Sequence, residues 1–284
     1  MEDRESVRRR KGNLFVVATP IGNLEDITLR ALRLLREAAL IAAEDTRHTG
    51  RLLAHYGIHT PQVSYHEHNK LTRLDTVLQT LETGDVALVS DAGTPGLSDP
   101  GYELVRAAIA HGFTVVPVPG PSALTAALVA SGLPTDAFVY LGFLPRRQND
   151  RRRLLHELCG ERRTLLVFET APRLAATLQD IEDILGERSI VVARELTKLY
   201  EEIWRGSVGA ARHHFAADVR GEITLVISGA SPPLPWDDQR VCEQVAQCMQ
   251  QGTSHREAVK QVAQASGWPR REVYRLSLNL DGEQ

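Results

Sequence analysis

Cysteine is scarce in this chain: Cys159, Cys242 and Cys248 are odd in number and show no CxxC spacing. That argues against a disulfide framework and a structural zinc site, and fits a reducing cytoplasm. No apolar run approaches the roughly 20 residues that span a bilayer. The basic segment with Arg4, Arg8, Arg9, Arg10 and Lys11 leads straight into a strand-like run, without a secretory apolar core. No membrane partner is expected. An excess of positive charge is missing too: 33 Lys and Arg against 36 Asp and Glu leave a net −3. This excludes a globally basic nucleic-acid binder while allowing local basic patches. Neither GxxxxGK[ST] nor GxGxxG occurs, so a P-loop or Rossmann nucleotide site is disfavoured. Internal repeats and low-complexity segments are absent as well.

What is present is an ordinary globular composition, 43% hydrophobic and 24% charged over 284 residues. That length exceeds the usual single core, so two domains or one large α/β unit are expected. Apolar, β-rich runs predict strands at 14–19, 40–44, 86–90, 114–118, 138–142, 164–168, 190–194 and 223–228. Helical patterns separate them, as at 27–38, where Leu29, Leu32 and Leu35 oppose Arg30, Arg33 and Arg36. Asp26 and Thr28 suit the start of that helix, and Gly112 suits a helix C-terminus. The alternation predicts an α/β fold with a mainly parallel sheet. The Pro/Gly cluster at 119–121 marks a boundary between two βα series, and the proline cluster at 232–235 ends them. Domains are therefore expected at 13–119 and 120–230, with a basic tail at 1–12 and a helical extension at 236–284. Ser254 and Glu257 have capping-box spacing, and the extension reads as helix-turn-helix-like. Residues 252–276 hold five cations and two carboxylates, net +3.

Three stiff loops follow apolar runs: 19–23 (TPIGN), 90–101 (SDAGTPGLSDPG) and 117–122 (PVPGPS). Loops at the carboxyl ends of parallel strands are where open sheets bind ligands, so three of them suggest one composite site. Asp91 reads either as an acceptor for ligand hydroxyls or ammonium, or as a turn-stabilising carboxylate. Asp99, before Pro100-Gly101, reads as a helix cap. Ser122 opens a helix whose free N–H groups favour a carboxylate, with plain capping as the alternative.

These loops, with 43–47 (AEDTR), 142–145 (GFLP) and 194–198 (RELTK), resemble the tetrapyrrole methylase superfamily over residues 13–230. The resemblance implies two α/β domains with S-adenosyl-L-methionine in the cleft between them, a small helical C-terminal domain and a homodimer. It further implies methylation of a cytidine ribose 2′-hydroxyl in the decoding region of small-subunit ribosomal RNA, free or in the small ribosomal subunit. Carried over residue by residue, it assigns the cofactor to Pro20, Ile21, Asp91, Gly93, Thr94, Ser122 and Ala123. From the second domain it adds Thr170, Leu196, Glu222, Ile223 and Thr224.

Methyl transfer to a 2′-oxygen needs collinear alignment and help with proton loss. Ionisable candidates are Asp45, Glu195 and Lys198, with the neighbouring runs 44–48 and 66–69; the histidines there read as solvated loop before catalysis. No metal is needed, and no ligand spacing points to one. RNA needs cations and flat surfaces. Arg146, Arg147, Arg151, Arg152 and Arg153 form the densest basic run, with Arg47 and His68 nearer the loops and Arg270 and Arg271 in the extension. The rival for the dense run is a solvated helix face; Trp268 and Tyr274 read as small-domain core. Two other functions stay open: methylation of a small macrocycle or protein side chain, and a non-catalytic RNA-binding module.

Overall fold

The computed structural model describes residues 11–66, 70–217, 219–231 and 236–278. Strands β1 (Asn13–Val17), β2 (Leu40–Ala43), β3 (Gln62–Ser64), β4 (Val86–Val89) and β5 (Thr114–Val118) form one all-parallel sheet, ordered β3-β2-β4-β1-β5. Helices α1 (Leu29–Glu37), α2 (Thr46–His55), α3 (Lys70–Leu81) and α4 (Tyr102–Ala110) connect them. Strand side chains alternate between faces. Ile41, Ala43, Ala87 and Val89 pack under α1 and α2, whereas Ala42, Val86 and Leu88 pack with Val77, Leu81, Leu104 and Ala108 of α3 and α4. Burial on both faces explains why these strands read as continuous apolar runs. β1 and β4 are neighbours whose following helices leave to opposite faces, and that divergence opens a crevice at their carboxyl ends.

Local chemistry sets the helix ends. The Thr28 hydroxyl accepts the Ala31 N–H at 3.1 Å and so caps α1. Asp26, expected there, lies in the preceding 3-10 turn. Leu29, expected on the apolar face, is exposed, and Ala31, Leu32, Leu34 and Leu35 supply the buried stripe. Gly112 follows α4 with φ +73°, as its C-terminal position requires.

The second sheet begins after α5 (Ala123–Ser131). It contains β6 (Phe138–Phe143), β7 (Thr164–Thr170), β8 (Ser189–Arg194), β9 (Glu202–Ser207) and β10 (Glu222–Ile227), ordered β6-β7-β10-β8-β9. α6 (Gln148–Glu157), α7 (Ala171–Leu185) and α8 (Val208–His214) cover the face bearing Leu165, Val167, Val192 and Leu225. α5 covers Leu166, Val191, Ala193 and Val226 on the other, with Ile21 in the same cluster. Here the parallel expectation fails. β6 and β7 run parallel, but β10 is antiparallel to β7 and β8, and β9 to β8. The link between β8 and β9 is too short for a crossover helix, so the chain must turn back. β9 and β3 were not expected as strands: one carries Glu202, Arg205 and Gly206, and the other is three residues long.

Residues through Ala230 belong to one compact unit holding both sheets, and Ser231 begins a second. In the second, α9 (Asp238–Gln250), α10 (His255–Ser266) and α11 (Arg270–Ser277) surround Val241, Val245, Val259, Val262 and Val273. Trp268 packs on this core, but Tyr274 is exposed and tilts against His255. Ser254 precedes α10 without a side-chain cap, so the expected capping box does not form. No helix among the described residues is long and apolar enough to cross a membrane.

Candidate active site

The three stiff loops meet. Thr19 and Gly93 exchange two backbone hydrogen bonds, of 2.9 and 3.0 Å, joining the loop after β1 to the loop after β4. Gly93 takes φ +75°, and a side chain there would stand 3.5 Å from Ile21 and 4.0 Å from the Pro121 carbonyl. The positive φ makes glycine the residue for this turn, and the distances show how near the three loops come to one another. A cavity of about 270 Å³ opens beside it, between the two sheets. Its wall includes Ile21, Gly93, Thr94, Ser122, Ala123, Thr170, Leu196, Glu222, Ile223 and Thr224. Ten of the twelve residues assigned by resemblance to a cofactor thus share one wall. Pro20 is buried away from it, and Asp91 faces elsewhere.

A strained loop from the second sheet adjoins that wall. Glu195 and Thr197 adopt φ +51° and +64°, costly for non-glycine residues. Their conformation is held from several sides. Glu195 Oε1 accepts Lys198 Nζ at 2.8 Å and the Glu222 N–H at 3.0 Å, and Lys198 also reaches Glu222 Oε2 at 3.1 Å. Burial alone would raise the Glu195 pKa, but the bonds from Lys198 and Glu222 bring it below its ordinary value. Burial likewise opposes charge on Lys198, yet the two carboxylates hold its pKa above normal. Lys198 is therefore a locked cation and a poor proton acceptor. Gly22 abuts it: a side chain there would collide with Lys198 Cγ. Neither Glu195 nor Lys198 is on the cavity wall itself; both brace it through Glu222.

Asp45 is also off the wall. It caps α2, accepting the Arg47 N–H at 2.8 Å, and forms a forked pair with the Arg47 guanidinium at 3.1 and 2.8 Å. Those hydrogen bonds hold its carboxyl well below the usual range, so it accepts a proton poorly. One acid of the wall, Asp99, was expected to cap a helix. α4 instead starts at Gly101 with φ +143° and no side-chain cap, which leaves Asp99 to line the cavity. Desolvation by burial, reinforced by the Glu44 charge and opposed by a Ser90 hydrogen bond, pushes Asp99 up to about 7. Glu44 is raised too, by burial first and then by the Asp91 charge, against a hydrogen bond from the Asp91 backbone. Asp91 accepts the Asp45 N–H at 3.0 Å, tying the β2–α2 turn to the loop after β4. Ser98, at φ +66°, shares a 2.6 Å hydrogen bond with the Tyr140 hydroxyl on β6. The residue before Asp99 is thus braced from the second sheet.

The expected cationic run does not form an open patch. Arg151 is buried, its Nε and Nη2 on Asp180 Oδ2 at 2.7 and 2.6 Å. Arg152 bridges Asp180 and Asp183 at 2.8 and 3.0 Å, and Arg153 pairs with Asp150 at 3.0 Å. Partners on α7 and on α6 itself consume this charge. Arg146 and Arg147 are exposed, as are Arg270 and Arg271, and none of the four has an ion pair among the described residues. His68 lies outside the described residues, with Arg4, Arg8, Arg9, Arg10, Glu67 and Asn69.

Residues 13–212 match the profile of the family described as Tetrapyrrole (Corrin/Porphyrin) Methylases. The chain belongs to that family. Within it, the Ribosomal RNA small subunit methyltransferase I of Synechocystis sp. is 48% identical over 277 residues, 96% of this chain and 99% of the relative. The enzyme of that name from Thermotoga maritima is 52% identical over 220 residues, covering 77% of this chain and 99% of its own length. Among solved structures, the uroporphyrin-III C-methyl transferase of Thermus thermophilus complexed with S-adenyl homocysteine superposes with a TM-score of 0.54. It is 20% identical, over 76% of this chain and 97% of its own, and shares the methylase fold. Ser98, Asp99 and Phe143 fall within the family motifs at 90–101 and 142–145 without having been assigned to the site, and Phe168 and Glu169 fall outside those motifs; all five share the cavity wall. The one signal for Asp99 was its place in the motif at 90–101.

Proposed function

We propose that this methylase transfers a methyl group from S-adenosyl-L-methionine to the 2′-hydroxyl of a cytidine in the decoding region of small-subunit ribosomal RNA. The observation that carries this reading is near full-length identity of 48% with a relative named for small-subunit ribosomal RNA methylation. The chemistry of the cavity wall suits the donor. The first N–H groups of α5 have no side-chain cap and favour a carboxylate. Gly93 and Thr94 offer backbone groups, Ile21 and Leu196 apolar contact, and Glu222 a carboxylate for a hydroxyl or ammonium. Bound there, the donor would supply an electrophilic methyl carbon on a positively charged sulfur.

The remaining work falls to the chain. Asp99, titrating near 7, takes the proton that the ribose hydroxyl gives up as its oxygen attacks. Burial first, and then the nearby Glu44 charge, makes Asp99 basic enough, while the Ser98–Tyr140 bond braces the loop that carries it. The Lys198–Glu195–Glu222 network holds its strained loop against Gly22, so the wall is formed before ligands arrive. Of the cations expected to meet RNA, Arg146, Arg147, Arg270 and Arg271 are exposed without an ion pair among the described residues and are available to phosphates. Assembly as a homodimer belongs to the same proposal, with exposed Leu199 and Tyr200 as apolar surface to cover; light scattering should give twice the single-chain mass.

The test is transfer of labelled methyl to isolated small subunits from cells lacking the protein. The label should be sensitive to RNase and resistant to protease. Label that survives RNase, or that enters a macrocycle, would reject the RNA substrate.

A further inference from the structure

We infer that Phe143 is the platform on which the target nucleobase stacks as its ribose enters the cavity. This rests on the RNA reading above. β6 is an edge strand, and its ladder with β7 shifts register between Tyr140 and Phe143. Gly142 sits in the break with φ +63°. On a regular strand, residues three apart point to opposite faces. The irregularity cancels that alternation: Tyr140 and Phe143 both meet the Phe168 ring in tilted, edge-on fashion, with ring centres at 5.3 and 5.8 Å. Bulges beside active sites re-aim side chains in this way.

The three rings differ in what they have left to offer. Tyr140 is tied to Ser98 through its hydroxyl, and Phe168 is packed between its neighbours. Phe143 lines the cavity yet keeps 50% of its surface exposed, with Leu97 also exposed on the same wall. A phenyl ring has no hydrogen-bonding group, so the partner it suits is another flat π-face. In an RNA substrate that face is a base, and unstacked bases are commonly held on aromatic rings. Position ties this ring to the chemistry. A side chain at Gly142 would stand 3.2 Å from Ser98 Oγ, so the residue before Phe143 lies close against the side chain of the residue before Asp99. A base on Phe143 therefore brings its own ribose toward the Asp99 carboxyl. Exposed Arg146 and Arg147 follow within four residues, ready for adjacent phosphates.

The test compares Phe143→Ala, Phe143→Leu and Phe143→Trp in the full chain. KM is measured on small subunits, and donor affinity by calorimetry. The alanine and leucine variants should raise KM for the subunit roughly tenfold or more, and the tryptophan variant should restore it. Donor affinity should stay within about twofold in all three, a factor far below one stacked base. Rescue by leucine would make Phe143 a packing residue and overturn the inference. A donor affinity that falls alongside would assign the ring to the donor and overturn it too. Failure of the unmodified protein to methylate RNA would remove the functional reading, and the platform with it. Equal KM in every variant would remove the platform alone.

Discussion

Asp99 sits where a carboxyl changes from acid to base near neutral pH, and the sign of its effect is fixed. Below about 7 it is protonated and, on the proposed reading, cannot accept the ribose proton; above, it can. Single-turnover methyl transfer should therefore rise between about pH 6 and 8 and then level off. Asp99→Asn should lower that rate about 100-fold and abolish the acid limb, with donor affinity unchanged. An acid limb that survives the substitution would place the base elsewhere. The same pKa has a stability consequence. The folded state binds this proton more tightly than the unfolded chain, so Asp99 lowers stability as pH rises from 3.8 toward 7. Asp99→Asn should accordingly raise the urea midpoint more at pH 8 than at pH 4. The sequence marked the loop but divided its two aspartates the other way. Their roles turn on burial and on Glu44 at the end of another strand, neither of which is visible along the chain.

At the scale of elements, the α6–α7 contact is the place where sequence and structure part most sharply. Three consecutive arginines suggest a surface for RNA, yet Asp180 on α7 is fully buried and engages Arg151 and Arg152 together. The partners lie about thirty residues apart, and only helix packing brings them into contact. Asp180→Ala would leave Arg151 buried without its counter-charge, a loss of about 3–5 kcal/mol. Urea denaturation should show it, and an unchanged midpoint would mean that water reaches the guanidinium. Strand–helix order was legible because both-face burial writes apolar runs into β1, β4, β7, β8 and β10. β9 was not, because an edge strand with Glu202 and Arg205 has no such signature. Missing it also hid the antiparallel half of the second sheet.

For the whole molecule, the glycine and proline loops marked the meeting place of the two sheets because those loops supply Ile21, Gly93, Thr94 and Ser122 to the cavity wall. The C-terminal unit carries its own test. Arg270→Glu with Arg271→Glu should weaken RNA binding about tenfold and reduce the salt slope by about two. Donor affinity should be unaffected, and unaltered RNA binding would leave α11 without this role. The central claim is that the cavity between the sheets directs a methyl group onto ribose. It is tested most directly by mass spectrometry of nucleosides from small-subunit RNA that the purified protein has methylated. The account predicts one added methyl, on the sugar of a cytidine. A methyl on the base, or on another nucleoside, would contradict it.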